Sequence, residues 1–157
     1  MWVIYILIIA LSAFLGFLVY QRLKNKKDYF KSLLDFLDRF NQNVAFVQSS
    51  FPEFILNFSS ISADFKLTLN SILKHGFENN SEVFFPDYIT KEEKSLIINI
   101  ICSIGVLNQE MEQDHIRKSR YEVDELYKKS KEQFEKYGAL SIKLGFILGI
   151  LLVILLI

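Results

Sequence analysis

The sequence is poor in the residues that typify disulfide-bonded and turn-rich proteins. It holds one cysteine, Cys102, with two prolines and six glycines in 157 residues. A single cysteine excludes an intramolecular disulfide framework and suits a reducing cytosol. So few helix breakers favour helices over a turn-rich β architecture. The formal net charge is zero, with 18 basic and 18 acidic residues, so we expect no nucleic-acid partner.

Charge is almost absent from two long apolar stretches, one near each end of the sequence. Trp2 to Val19 carries none, and Ala139 to Ile157 carries only Lys143. About twenty helical residues cross the roughly 30 Å hydrocarbon core of a bilayer, so each stretch is long enough to span it. We therefore predict transmembrane helices over residues 1–21 and 138–157. Lys143 lies near the start of its stretch, and its flexible stem can carry the ammonium back to the headgroups.

Basic residues follow the first apolar stretch and precede the second. The first group is Arg22, Lys24, Lys26, Lys27 and Lys31, and the second is Lys128, Lys129, Lys131 and Lys136. We expect Arg22, Lys24, Lys26, Lys27 and Lys143 to lie at the membrane interface. The positive-inside bias then places the middle segment in the cytosol and both termini outside. A cleaved signal peptide is the alternative for the first stretch, but it would need basic residues before the apolar run rather than after it.

The middle segment, residues 22–137, is predicted to be one helical domain. Its apolar residues recur at spacings of three and four, which is typical of helices that bury one face. The clearest stripe lies between Asp28 and Gln48 and comprises Phe30, Leu33, Leu34, Leu37, Phe40, Val44 and Val47. The fold class predicted is therefore all-α, a cytosolic helical bundle between an N-terminal and a C-terminal transmembrane helix.

Several residues predict where the shorter helices begin and end. Pro52 suits the first turn of one helix, and Ser62 can cap another that stops at Gly76. Glu78 to Tyr88 is predicted to be a loop. The run Thr90-Lys91-Glu92-Glu93 matches a capping box.

No proline follows this box, so the chain could continue from Lys91 into the membrane as one helix, or break near Gly105 or Gly138. The apolar stripe of this last segment includes Met111, His115, Val123 and Tyr137 and weakens beyond Met111. We expect the charged part after Asp114 to leave the bundle as a solvated stalk or to pair with another copy as a coiled coil.

Candidate catalytic and metal-binding residues are few. Glu112 and His115 share a helix face, as in di-iron bundles, but those sites need a second such pair that this sequence lacks. Cys102 lies among isoleucines and is interpreted as a small buried hydrophobe rather than a nucleophile. No phosphate-loop motif is present in the sequence. We therefore predict no catalytic, cofactor-binding or metal-binding residue and no enzyme; a membrane enzyme or ligand-binding protein is the alternative.

Small residues recur every four positions in both apolar stretches. Ser12 and Gly16 do so in the first, and Ser141, Gly145 and Gly149 in the second. Such a stripe allows two helix backbones to approach closely. The stripe therefore has three possible roles. It packs the two spans against each other, it packs them against another copy in a homo-oligomer, or it faces lipid.

The end of the sequence resembles the C-terminal signature of the stage III sporulation protein AB family. Lys136-Tyr137 is followed by Leu144-Gly145 and an L-G-x-x-x-G-aliphatic run to Ile157. Other features agree in order, namely Gly16-Phe17, Val44-Ala45-Phe46, Pro52-Glu53 and Gly105. The sequence departs from the family pattern at Ala45 and Phe46, and at Asn108 and Gln113, where the family has an acidic residue and a glutamine at another spacing.

The resemblance implies a bacterial cell-membrane subunit of the secretion-like channel between mother cell and forespore. Its helical domain would be similar to inner-membrane platform proteins of type II secretion and type IV pilus systems. The implied partners are the sporulation secretion-type ATPase, stage III sporulation protein AA, other channel membrane subunits and the lipid bilayer. We therefore expect a platform that docks this ATPase on the mother-cell side, with a generic membrane-tethered helical scaffold as the alternative.

Overall fold

A computed structural model describes residues 2–47, 50–75, 83–104 and 109–156. Within these ranges every regular element is helical and no strand occurs. The helices are α1 (Trp2–Gln42), α2 (Phe51–Asn57), α3 (Ala63–His75), α4 (Lys91–Ser103) and α5 (Gln109–Leu156), with a π-helical turn at Asn43–Val47. The predicted all-α fold, with a helical middle between two long apolar helices, is confirmed.

The helices form two compact units. The first, which we call the hairpin unit, comprises Met1–Lys27 and Lys128–Ile157. The second, which we call the bundle unit, comprises Asp28–Tyr127. Helices α1 and α5 contribute to both units, whereas α2, α3 and α4 lie in the bundle unit alone.

The second half of α1 forms the centre of the bundle unit. Phe30, Leu33 and Leu37, all in the predicted stripe, are completely buried. Tyr29 and Phe36 are equally buried although they lie outside that stripe, because the surrounding elements cover more than one face of α1. The ring of Phe36 lies within about 6.3 Å, centroid to centroid, of the rings of Phe40, Phe51, Phe54, Phe58 and Phe65. The abundance of phenylalanine therefore has a packing role.

The predicted starts of the shorter helices are confirmed. Pro52 lies in the first turn of α2. The amide of Phe65 donates to Ser62 Oγ at 3.3 Å, which caps α3. At α4 the Glu93 amide donates to Thr90 Oγ1, and the Thr90 amide donates to the Glu93 carboxylate at 2.8 Å. Gly76 lies outside the described residues.

The described part of the predicted loop, residues 83–88, is irregular, as are the two residues that lead into α4, and specific hydrogen bonds hold this segment. The Phe84 amide donates to Ser71 Oγ at 3.0 Å, and the Ile89 amide donates to the Pro86 carbonyl at 3.1 Å. Val83, Phe85 and Tyr88 pack against the core of the bundle unit. The remainder of that loop falls outside the described residues.

Of the alternatives for the segment after Lys91, one continuous helix or a break near Gly105 or Gly138, the structure shows two helices. Helix α4 ends at Ser103, and Ile104 adopts an extended backbone with φ −78° and ψ 135°. Helix α5 begins at Gln109 and continues without interruption through Gly138. The break therefore lies near Gly105, itself outside the described residues, and the alternative break at Gly138 does not occur. Ile104, directly after α4, is buried in the core of the bundle unit.

The prediction that the segment after Asp114 is a solvated stalk is also wrong up to Tyr127. Ile116, Ser119 and Val123 are buried in the bundle unit. The Arg120 guanidinium donates two hydrogen bonds, at 2.5 and 3.3 Å, to the Asp38 carboxylate of α1. Serine occupies part of the buried face, so the apolar stripe weakens in the sequence although the packing continues. Conversely, Met111 and Tyr137 were expected on the buried stripe but are exposed.

Candidate functional site

In the hairpin unit, α1 and α5 pack against each other in antiparallel directions through small residues. Gly149 contacts Ile9, Gly145 contacts Ser12, and Gly16 contacts Ser141. A Cβ atom added at Gly145 would lie 2.8 Å from the Ser12 carbonyl oxygen, and one at Gly149 would lie 2.9 Å from the Ile9 Cα. These neighbours are backbone atoms, which cannot move without separating the helices.

A hydrogen bond reinforces this close approach. Ser12 Oγ donates to the Gly145 carbonyl oxygen at 2.6 Å. Ser141 Oγ donates to Gly138 of its own helix at 2.8 Å. The structure thus brings Ser12, Gly16, Ser141, Gly145 and Gly149 together at one contact between the two helices of a single chain.

The outer surface of this helix pair is apolar. Large exposed side chains cover it along both helices, including Ile6, Leu11, Phe14, Phe146, Ile150 and Ile154. Helices α1 and α5 are each long and apolar enough to cross a membrane. Two packed helices with polar contacts inside and apolar side chains outside are compatible with membrane spans.

The basic residues predicted at the interface lie in the hairpin unit. Arg22, Lys24 and Lys143 are exposed, whereas Lys26 and Lys27 are half-buried. The Lys27 ammonium lies 4.5 Å from the centroid of the Phe134 ring. That ring in turn lies 5.3 Å from the ring of Tyr20. No pattern in the sequence predicts this cluster, apart from an aromatic residue near the end of each apolar stretch.

The two units carry opposite net charge, which the zero total of the sequence conceals. The hairpin unit holds nine basic and two acidic side chains, a formal charge of +7. The bundle unit holds nine basic and sixteen acidic side chains, a formal charge of −7. The division of the chain between two units therefore creates two strong fields of opposite sign.

An open groove lies in the bundle unit beside the loop and α4. Its volume is about 380 Å³, and it is lined by Val83, Phe85, Lys91, Lys94, Ser95, Ile98 and Asn99. The Lys94 ammonium lies 5.8 Å from the centroid of the Phe85 ring. The loop that borders the groove carries an exposed aromatic side chain, Phe84, and an exposed carboxylate, Asp87.

Cys102 and His115 are the two residues that the sequence analysis considered as nucleophile and metal ligand. Cys102 was expected to be buried and is half-buried. Desolvation raises the pKa of its thiol, which lowers the fraction of reactive thiolate. His115 Nε2 lies 2.5 Å from Ser103 Oγ and 3.4 Å from Ser119 Oγ. Ser103 Oγ also lies 2.7 Å from the Asn99 carbonyl oxygen and 2.9 Å from the Ile100 carbonyl oxygen, so its single proton has backbone acceptors within reach besides the imidazole. The described residues contain no group of three or more potential metal ligands.

Two tyrosines of the bundle unit, Tyr29 of α1 and Tyr88 of the loop, make hydrogen bonds to α3. Tyr29 Oη donates to Thr68 Oγ1 at 3.1 Å, and Tyr88 Oη donates to the Asp64 carboxylate at 2.5 Å. Burial raises the pKa of both phenols above the ordinary value, and the Asp64 charge adds to the effect. Both therefore stay protonated donors over the physiological pH range.

The comparison with known families covers the whole sequence. The family model for stage III sporulation protein AB matches residues 1–157. Among curated proteins and among solved structures, none matches the sequence significantly. A match over the full length, on an all-α fold with a long apolar helix at each end, shows that the chain belongs to the stage III sporulation protein AB family.

Proposed function

We propose that this protein is a membrane platform that docks the sporulation ATPase, stage III sporulation protein AA, within the channel complex between mother cell and forespore. Family membership supports a role in stage III of sporulation. One observation carries the proposal: the chain between the two apolar helices folds into a single bundle unit, Asp28–Tyr127. A partner that binds this unit is thereby held at the membrane. The platform transmits or anchors force, and its own residues make and break no bond.

The proposed orientation rests on the distribution of basic residues. Nine basic side chains flank the apolar parts of α1 and α5 on the side that continues into the middle of the chain. The positive-inside bias then assigns the bundle unit to the mother-cell cytosol and both termini to the far side. A reporter fused after Lys27 should be active in its cytosolic form, and a tag on Ile157 should be accessible only from outside. Export-type reporter activity in the middle segment would overturn this topology.

The loop and groove of the bundle unit are the surface we assign to docking. The described loop is anchored at Ser71 and Asp64, so its exposed side chains are held in place before a partner arrives. Exposed aromatic residues such as Phe84 frequently contribute most of the energy of an interface. Net negative charge on the bundle unit favours a partner with a basic surface, because complementary charge speeds association.

Retention of the ATPase on immobilised full-length protein in mild detergent tests the proposal. Purified stage III sporulation protein AA should be retained by the wild type, and Asp87→Lys should weaken retention by reversing a charge on the loop. Asp114→Lys is the matched control, because it makes the same charge reversal on an exposed residue of α5, away from the loop. The described ion pair of Asp114 is with Arg117 of the same helix, at 3.7 Å.

Three outcomes would contradict the platform. The ATPase could pass through the column unretained, the purified protein could hydrolyse nucleotide by itself, or it could hold stoichiometric metal that is lost in His115→Gln. The second and third outcomes would favour a membrane enzyme. Retention that is equal in Asp87→Lys and wild type would move the docking surface away from the loop.

A further inference from the structure

The basic residues that support the proposed orientation also form a cluster at one end of the hairpin unit, for which the platform proposal names no ligand. We call it the basic collar, and it comprises Arg22, Lys24, Lys26 and Lys27 of α1 with Lys128, Lys129, Lys131 and Lys136 of α5. The same two segments contain only Glu132 and Glu135 as acidic residues, which leaves the collar with a formal charge of +6.

The antiparallel packing of α1 and α5 brings the two halves of the collar to one end of the hairpin unit. Ile9 contacts Gly149, and eleven positions later Tyr20 contacts Phe134 and Gly138. Residue numbers therefore rise along α1 as they fall along α5, and both basic segments follow the same contact. Lys131 Nζ pairs with Glu135 at 3.8 Å, but positive charge still predominates in the collar as a whole, so its cationic groups repel one another.

Apolar surface begins next to the collar. Phe17, Leu18 and Leu140 are exposed within the hairpin unit just beyond the basic segments. A ligand at the collar therefore meets cationic groups on one side and an apolar helix surface on the other. Free phosphate would use only the first of these surfaces, whereas a phospholipid would use both.

Aromatic rings position one of the collar's ammonium groups. Lys27 Nζ lies 4.5 Å from the Phe134 ring centroid, and Tyr20 packs against the same ring at 5.3 Å. The cation–π contact directs the ammonium to the helix surface instead of leaving the side chain to extend freely. Tyrosine and lysine at the end of an apolar helix are typical of the headgroup level of a bilayer.

We infer that the basic collar binds the phosphate groups of anionic phospholipids, whose acyl chains lie along the adjoining apolar surface of α1 and α5. The bound lipids offset the repulsion within the collar. The protein should accordingly prefer anionic over zwitterionic lipid, and the preference should weaken as salt screens the charges.

Native mass spectrometry of the full-length protein in mild detergent tests the inference. The protein is given an equimolar mixture of phosphatidylglycerol and phosphatidylcholine with identical acyl chains. The wild type should retain mostly phosphatidylglycerol. Lys24→Gln/Lys129→Gln removes two exposed charges of the collar and should lower its relative retention by roughly fivefold for each charge removed.

The matched control is Lys74→Gln/Lys118→Gln, which removes two exposed charges from the bundle unit and should leave lipid retention unchanged. Added inorganic phosphate at the concentration of the lipid should not displace bound phosphatidylglycerol. Should the collar variant fail to fold, a salt titration of the wild-type protein provides the same test without substitution.

Equal retention of the two lipids, an equal loss in both double variants, or displacement by inorganic phosphate would each overturn the inference. Retention of the ATPase does not enter this measurement. A failure of the lipid inference therefore leaves the platform proposal standing, and the reverse also holds.

Discussion

Ser12 and Gly145 contact each other twice across the two helices of the hairpin unit. The Ser12 hydroxyl donates to the Gly145 carbonyl oxygen at 2.6 Å, and the Ser12 carbonyl oxygen lies 2.8 Å from the position that a Cβ atom on residue 145 would take. The hydrogen bond needs close backbones, and only glycine at position 145 permits that distance. A serine and a glycine on different helices thus depend on each other.

Gly145→Ala and Gly149→Leu should therefore destabilise the helix pair without preventing membrane insertion. We expect a loss of about 1–3 kcal/mol, because the new side chain meets backbone atoms and forces the helices apart. Unfolding in mixed micelles with increasing denaturing detergent measures the loss. Gly138→Ala is the control. The nearest atoms to its Cβ would belong to side chains, Phe134 at 3.2 Å and Tyr20 at 3.5 Å, and not to the backbone of the other helix. Equal stability of Gly145→Ala and wild type would contradict the packing role.

The capping box of α4 predicts a second effect on stability. Thr90→Ala removes the acceptor for the Glu93 amide and should lower the free energy of unfolding by about 1 kcal/mol. Thr90→Ser retains the acceptor oxygen and should stay close to wild type. Thermal unfolding followed by circular dichroism distinguishes the two variants, and identical losses would show that the cap contributes nothing.

The buried tyrosines predict a decline in stability at alkaline pH. The pKa of Tyr29 and of Tyr88 is raised in the fold, while an unfolded tyrosine titrates near 10. Below that pH both states keep the proton and stability is unaffected. As pH rises above about 10, the unfolded state releases its protons first, so the free energy of unfolding falls.

Tyr29→Phe should make this alkaline decline shallower, although it also loses the hydrogen bond to Thr68. Denaturation midpoints between pH 8 and 11 measure the slope. Tyr121→Phe is a matched control, because it removes the same hydroxyl from a side chain that is 68% exposed. Identical slopes for all three proteins would contradict the prediction.

Function should tolerate the replacement of Cys102 and of His115. Cys102→Ala should cost roughly 1 kcal/mol of stability by removing a half-buried group, and His115→Gln can still donate towards Ser103. Sporulation efficiency should fall only as far as the amount of folded protein falls. A loss of sporulation with normal protein levels in either variant would argue for chemistry at that residue.

Local features of this fold could be predicted from the sequence because each depends on neighbouring residues. The apolar stripe from Phe30 to Leu37, the cap at Ser62 and the capping box at Thr90 each follow from a spacing of three or four positions. The long apolar helices and the family signature are equally local. Small residues spaced four apart likewise marked the faces on which α1 and α5 meet.

Contacts between distant segments were decided only by the tertiary structure. Tyr29 and Phe36 are buried because other elements cover further faces of α1. The apolar periodicity within α1 does not predict the burial of these two residues. The segment after Asp114 reads as solvated because Ser119 and Arg120 are polar. Ser119 nevertheless fits a buried position, and Arg120 pairs with Asp38, 82 residues away in the sequence.

Composition determined that the formal charge of the sequence is zero, but not how that charge is distributed. The charges of +7 and −7 exist because residues 1–27 and 128–157 fold together, apart from the segment between them. The sequence by itself therefore determined the all-α class, the starts of the shorter helices and the family. The tertiary structure decided which polar residues are buried, how the helices pair and which unit carries which charge, because these depend on contacts between residues far apart in the chain.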